Sequence, residues 1–233
     1  MASPLVLPVP WKALLGMMLL LCALPVQAQP RIGFGLDLFT ENSRLTGEQA
    51  INLSRRDESF DYGSTSILSA TLSMSVPAPI ASDRARVGGG VRLFGNYGTE
   101  NEGRLFGLGL LNQAFISGEY GLPVANRMEA VVGLKGGVAL LFPGREFSQE
   151  IDRLQADGVS VWSLPRVGWL LGMSLGARRR MSEKIFLRAD LSGQLEKLYL
   201  FSTSQKIDGV QFDKNWDTFG LRLGLTFGAE FSL

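Results

Sequence analysis

Eleven ionisable residues of this chain fall on the polar face of segments in which apolar residues alternate with polar or glycine residues. Asp37, Arg86, Arg92, Glu119, Lys135, Arg166, Arg188, Asp190, Glu196, Arg222 and Glu230 make six basic and five acidic groups. Two chemistries use such residues, acid–base catalysis and a charged lining. Catalysis finds little to work with. Asp190 and Glu196 offer a carboxylate pair, but of a kind ordinary in a salt network. Ser69, Ser73 and Ser75 supply hydroxyls without an activating partner. The chain has no histidine, and its single cysteine, Cys22, lies in the leader expected to be removed, so neither a histidine base nor a thiolate is expected in the mature protein. Acids scattered among arginines do not form a metal-ligand set. Gly88-Gly89-Gly90 is not followed by Gly-Lys-Ser/Thr and is no phosphate loop. No enzyme activity, cofactor or metal is expected. A lining remains, and its near balance of charge predicts mutual pairing in a narrow interior, where an unpaired charge is costly.

The elements that would carry such a lining are strands. From Phe219 to Leu233, apolar residues (Phe219, Leu221, Leu223, Leu225, Phe227, Ala229, Phe231, Leu233) alternate with Gly220, Arg222, Gly224, Thr226, Gly228, Glu230 and Ser232. Period-2 alternation of this length exceeds the usual five or six residues of a soluble strand and meets the roughly 9–11 that cross a membrane. The pattern recurs from Ile32 to Leu38, Leu68 to Val76, Val87 to Leu93, Leu105 to Tyr120, Ala130 to Phe142, Arg166 to Gly176 and Ile185 to Glu196, giving eight strands. The fourth is the least regular, because Asn112 falls on the face that holds Phe106, Leu108, Leu110, Ala114 and Ile116; a bulge is expected there.

The connectors alternate too. Thr40–Gly63, Asn96–Arg104, Pro143–Ser160 and Tyr199–Asn215 are long, whereas Pro77–Asp83, Gly121–Asn126 and Arg178–Glu183 are short. Outer-membrane barrels put long loops outside and short turns in the periplasm. Tyr97, Tyr120, Phe142, Trp162, Tyr199 and Trp216 fall near strand ends, where an interfacial aromatic girdle sits. Arg178-Arg179-Arg180 is a basic cluster, read as a solvated turn, with phospholipid head groups or a periplasmic partner as the other reading.

At the start, Lys12 precedes an apolar run from Ala13 to Leu24, and Val26-Gln27-Ala28 carries small residues where a signal peptidase reads. Residues 1–28 are therefore expected to be a signal peptide cleaved after Ala28, and residues 29–233 a single domain. Cleavage removes Cys22 and Lys12, leaving 22 basic and 22 acidic residues. A neutral chain implies no nucleic-acid partner. No later apolar run reaches the roughly 20 residues of a spanning helix, so a closed barrel is the remaining way to satisfy the backbone in lipid.

These features resemble the small eight-stranded outer-membrane barrels: the transmembrane domain of OmpA-like proteins, the opacity-type barrels and the OmpW group. The resemblance covers nearly all of residues 29–233 and rests on pattern and topology. It implies an all-β, up-and-down antiparallel transmembrane barrel in a bacterial outer membrane, in contact with lipid and lipopolysaccharide. Phe227, Phe231 and Leu233 are similar to the terminal signal that the barrel-assembly machinery reads, although an aromatic residue is commonest where Leu233 stands. Enzymes among such barrels rely on a histidine, which is absent here. A lipocalin also has eight strands with the polarity reversed, and alternation alone does not say which face is inside. With the apolar face on lipid, Asp37, Arg92, Lys135, Arg166, Arg188, Asp190, Glu196, Arg222 and Glu230 line the lumen. The functional expectation is a structural or surface-contact barrel; the alternatives are a narrow channel for small solutes and the outer-membrane subunit of a secretion, export or motility complex.

Overall fold

The computed structural model describes residues 29–52, 54–64, 67–78, 84–101, 104–161 and 165–233; the signal-peptide expectation and Trp162 lie outside them. Nine strand segments and one helix follow in order: β1 (Arg31–Ile51), β2 (Ser54–Ser64), β3 (Leu68–Pro77), β4 (Ala85–Asn101), β5 (Arg104–Ala125), β6 (Met128–Pro143), α1 (Arg145–Ala156), β7 (Arg166–Arg180), β8 (Ile185–Ile207) and β9 (Val210–Ser232). All neighbours are antiparallel, and β1 pairs with β9 to close the ring. The lower part of β1 pairs with β3 (Arg31↔Ser75 to Leu38↔Leu68) and its upper part with β2 (Ser43↔Tyr62 to Ile51↔Ser54). Because β2 and β3 also both border β4, they are two lengths of one stave. The barrel therefore has eight staves.

The apolar face is outside. Leu134 and Met173 are each 63% exposed, and Phe34, Leu36, Leu171, Leu191 and Phe227 all exceed 50%. A water-soluble barrel buries such residues, and a belt of this size belongs in lipid. On β9 the outward apolar positions run from Phe219 to Phe231. At about 3.4 Å per residue and a tilt of about 40°, that is roughly 30 Å along the barrel axis, enough to cross the hydrocarbon layer.

Three of the four expected outer loops are instead strand. Thr40–Gly63, Asn96–Arg104 and Tyr199–Asn215 are mostly taken up by continuations of β1, β2, β4, β8 and β9. The β8–β9 turn is Asp208-Gly209, both at positive φ (48° and 87°), as a two-residue hairpin demands. The apolar alternation fades there because these strands have left the membrane. Outward Thr40, Asn42, Arg44 and Thr46 meet water, whereas Leu45 points inward and is buried. β6 and β7 stop near the membrane edge, so the projecting wall is open on one side, and α1 fills that side.

The irregular strand does bulge. Leu108 is skipped in the β4–β5 register, between the pairs Tyr97↔Gly109 and Gly98↔Gly107, and Gly109 has φ 136°. The extra residue turns Leu108 inward, where it is 1% exposed, rather than onto the outer face with Leu110. Two members of the expected girdle also turn inward: Tyr97 is 2% exposed, and Trp216 packs on the buried cluster. Tyr120, Phe142 and Tyr199 stay exposed on the outside.

Candidate functional site

Alternate residues of every stave point into a space that side chains can fill at this strand number. They do so in three polar layers, with an apolar plug above them. The layer nearest the short turns is built on Glu119 of β5 and Glu230 of β9. Glu230 accepts hydrogen bonds from Arg178 of β7 and Arg188 of β8, each at 3.1 Å, and lies 3.6 Å from Arg31 of β1. Glu119 binds the same Arg178 and Arg188, and Arg188 also donates to Asp190. Arg86 donates to Ser75 at 3.1 Å and sits 4.0 Å from Glu119. Arg31 stacks on Phe186, 3.9 Å from its ring centre.

The middle layer centres on Asp37. Its carboxylate accepts from Ser69 (3.1 Å), Thr71 (2.7 Å), Arg92 (3.1 Å) and Thr226. Arg92 reaches from β4 to Gln194 on β8, at 3.1 Å. Here the serine and threonine hydroxyls serve as donors to a carboxylate already neutralised by an arginine. They are not poised as nucleophiles, which would need an unengaged base.

In the upper layer, Arg222 is 4% exposed and donates to both oxygens of Glu196 (2.9 and 3.0 Å), to Glu41 and, at 3.3 Å, to the Tyr97 hydroxyl. Gln113 of β5 donates to Glu196, and Tyr97 of β4 donates to Glu41. Arg222 also lies 4.6 Å from the Phe94 ring centre. Each layer thus ties together staves on opposite sides of the lumen. Charge-assisted bonds with several acceptors per guanidinium offset the cost of taking these ions out of water.

Two expected members of the network stand apart from it. Among the described residues, no carboxylate forms an ion pair with Lys135, whose ammonium lies 5.7 Å from the Phe115 ring centre. It lines a cavity of about 140 Å³ between the lower and middle layers, together with Ser73, Ser117, Ser174 and Ser192. Arg166 is drawn into the outer plug, sandwiched against Phe147 and Phe201 at 5.5 and 5.2 Å. Conversely, Arg178 is no solvated turn residue: it is 2% exposed and bridges Glu119, Glu129 and Glu230.

The plug is made by α1 and the projecting wall. Phe147, Ile151 and Leu154 recur at the spacing of one helix face and are all buried, against Phe201 of β8 and Phe106 of β5 among others. Gly158, at φ 80°, ends the helix, and Val159 follows it into the core. Glu146 accepts from the Gly107 amide on β5, and Glu150 pairs with Lys214 of β9 at 3.1 Å. β5 and β9 face each other across the ring, so the helix spans the mouth.

Sequence reasoning missed Arg31, Glu41, Tyr97, Gln113, Arg178, Gln194 and α1. Glu41 and Arg178 share the parity of Asp37 and Arg166 on their own strands, so extending each strand by a few residues finds them. The helix was signalled by the spacing of Phe147, Ile151 and Leu154.

No family model and no curated protein matches the chain. Among solved structures it is similar to the outer-membrane protein OprG from Pseudomonas aeruginosa, at 12% identity over 86% of this chain and 96% of that one, with a TM-score of 0.42. Neisserial surface protein A shares 13% identity over 83% and 95% of the two chains, TM-score 0.36. The outer-membrane protein AlkL shares 15% over 86% and 91%, TM-score 0.37. The likeness is to small outer-membrane β-barrels and concerns architecture.

Proposed function

We propose that this protein is a closed, non-enzymatic barrel of the bacterial outer membrane, which supports the envelope and offers its plugged outer wall for surface contact. The observation that carries this reading is the bracket at Arg222, where one guanidinium joins β9 to Glu196, Glu41 and Tyr97 on three other staves. A lumen crossed at three levels and capped by a helix suits a rigid post better than a solute path. In this reading the belt contacts lipid, the wall rises among lipopolysaccharide, and Phe227, Phe231 and Leu233, exposed on the lipid side, are available to the barrel-assembly machinery.

Planar-bilayer recording of the purified protein tests closure. No discrete current is expected from the wild type. Steady unitary currents abolished by reversing the charge of Arg222 would favour a narrow channel instead. Affinity purification from native membranes in mild detergent, followed by mass spectrometry, tests autonomy. Recovery of the barrel alone is expected; a stoichiometric partner set would make it a subunit of an envelope complex.

A further inference from the structure

Exposed cations at the outer end are only partly paired, Arg145, Arg153 and Lys206 having no carboxylate at ion-pair distance among the described residues, and those at the short-turn end form a cluster. On the projecting wall, Arg44, Arg55 and Arg56 are each paired within their own hairpin, with Asp61, Asp57 and Glu58. At the short-turn end, Arg127, Arg179, Arg180 and Lys184 are all exposed. Among the described residues none of these four has a carboxylate within ion-pair distance. Of the nearby acids, Glu129 is bound to Arg178, and Glu183 is exposed in the same turn without an ion-pair partner among the described residues, so four cations stand against one acid.

The four cations come from two adjacent turns. Met128 pairs with Arg179, and the Arg180 amide donates to the Arg127 carbonyl at 2.8 Å. They alternate with apolar residues that continue the lipid belt, since Met128, Met181 and Ile185 are 37%, 49% and 38% exposed. Arg179 has the outward parity of Leu171, Met173, Leu175 and Ala177. Its stem therefore continues the oily face of β7, with the guanidinium at the level where phosphates lie.

We propose that this rim is a docking site for the phosphate head groups of anionic phospholipids in the periplasm-facing leaflet. The choice of lipid over an acidic protein rests on the continuity of the rim with the belt: the cations that carry the charge are interleaved with side chains already in the bilayer. A cation near a membrane surface favours anionic lipid by about fivefold. Four together, even when screened, give a clear preference. The proposal rests on the transmembrane reading of the belt.

The test uses the full barrel in vesicles of equal parts phosphatidylglycerol and phosphatidylcholine, with retained lipids counted by native mass spectrometry. The wild type is expected to retain phosphatidylglycerol over phosphatidylcholine by about fivefold or more. The variant carrying R127Q, R179Q, R180Q and K184Q is expected to retain both equally, and the milder R179Q/R180Q pair to fall between. An R55Q/R56Q control, at the opposite end, keeps the wild-type ratio. Equal retention by the wild type, or an unchanged ratio in the fourfold variant, would overturn the rim site while leaving the transmembrane reading intact. Failure of the wild type to insert into vesicles would overturn both.

Discussion

Phe147→Ala separates the two devices proposed to close the lumen. The Phe147 side chain is 2% exposed and touches the ring of Phe201 at 5.2 Å, that of Phe106 at 6.4 Å and the Arg166 guanidinium at 5.5 Å. Truncating a buried phenylalanine costs about 3–5 kcal/mol. Here that loss falls on one short helix rather than on the closed sheet, because α1 is held by Phe147, Ile151 and Leu154 and by two polar ties, at Glu146 and Glu150. A change of about 3 kcal/mol moves the balance between docked and undocked helix by on the order of a hundredfold, well inside the range of local opening. Hydrogen exchange followed by mass spectrometry should show residues 145–156 losing protection while β1, β8 and β9 keep theirs. The same variant in a planar bilayer should still pass no discrete current, because Arg222, Glu196 and Glu41 lie below and are untouched. Current through the single variant would refute the claim that the polar layers close the barrel. Full protection of the helix would refute the claim that Phe147 holds it.

Glu230→Gln leaves Arg178, Arg188 and Arg31 facing a neutral amide; it should destabilise the barrel by about 3–5 kcal/mol in urea unfolding, whereas Arg56→Gln, from a side chain 81% exposed, should have almost no effect. Equal effects of the two would remove the energetic case for the lower layer. Gly47→Val places a side chain where the Trp216 ring lies, 2.6 Å from an ideal Cβ, and should displace that ring at about 1–3 kcal/mol, seen as a red shift of tryptophan emission; an unshifted spectrum would show that the ring is held elsewhere. Phe231→Ala should reduce the folded barrel recovered from cell membranes without impairing refolding into detergent, and equal loss in both assays would mark Phe231 as a packing residue rather than an assembly signal.

The membrane-embedded half of this fold was plain in the residues, because lipid outside and charge inside enforce a strict alternation. Asp37 among Phe34, Leu36 and Leu38, or Arg222 among Leu221, Leu223 and Leu225, shows both faces at once. What lay hidden was local. Leu108 changes face through one skipped residue, and nothing in its own neighbourhood distinguishes it from Leu110. The pairing of Arg178 with Glu119 and Glu230 joins three staves that the sequence separates by up to 111 positions, and parity gives the side but not the partner. Lys135 and Arg166 have the parity of network members, yet the side chains opposite them are serines and aromatic rings.

The projecting wall was misread for a more general reason. A sheet keeps its staves together by burying one face, and which face depends on the solvent outside. Within the membrane that solvent is lipid, so β8 turns Leu187, Leu191 and Leu195 outward and Gln194 and Glu196 inward. Above the membrane it is water, and the same strand turns Leu198, Leu200 and Phe201 inward and Ser202 outward, with a register shift between Tyr199 and Phe201 marking the change. β1 makes the same inversion between Glu41 and Leu45, and β9 between Arg222 and Trp216. The polar lumen and the apolar plug are thus one barrel wall meeting two solvents. The three polar layers sit where lipid covers the outside, and the helix is needed only where β6 and β7 end and the apolar interior of the wall would otherwise open to water.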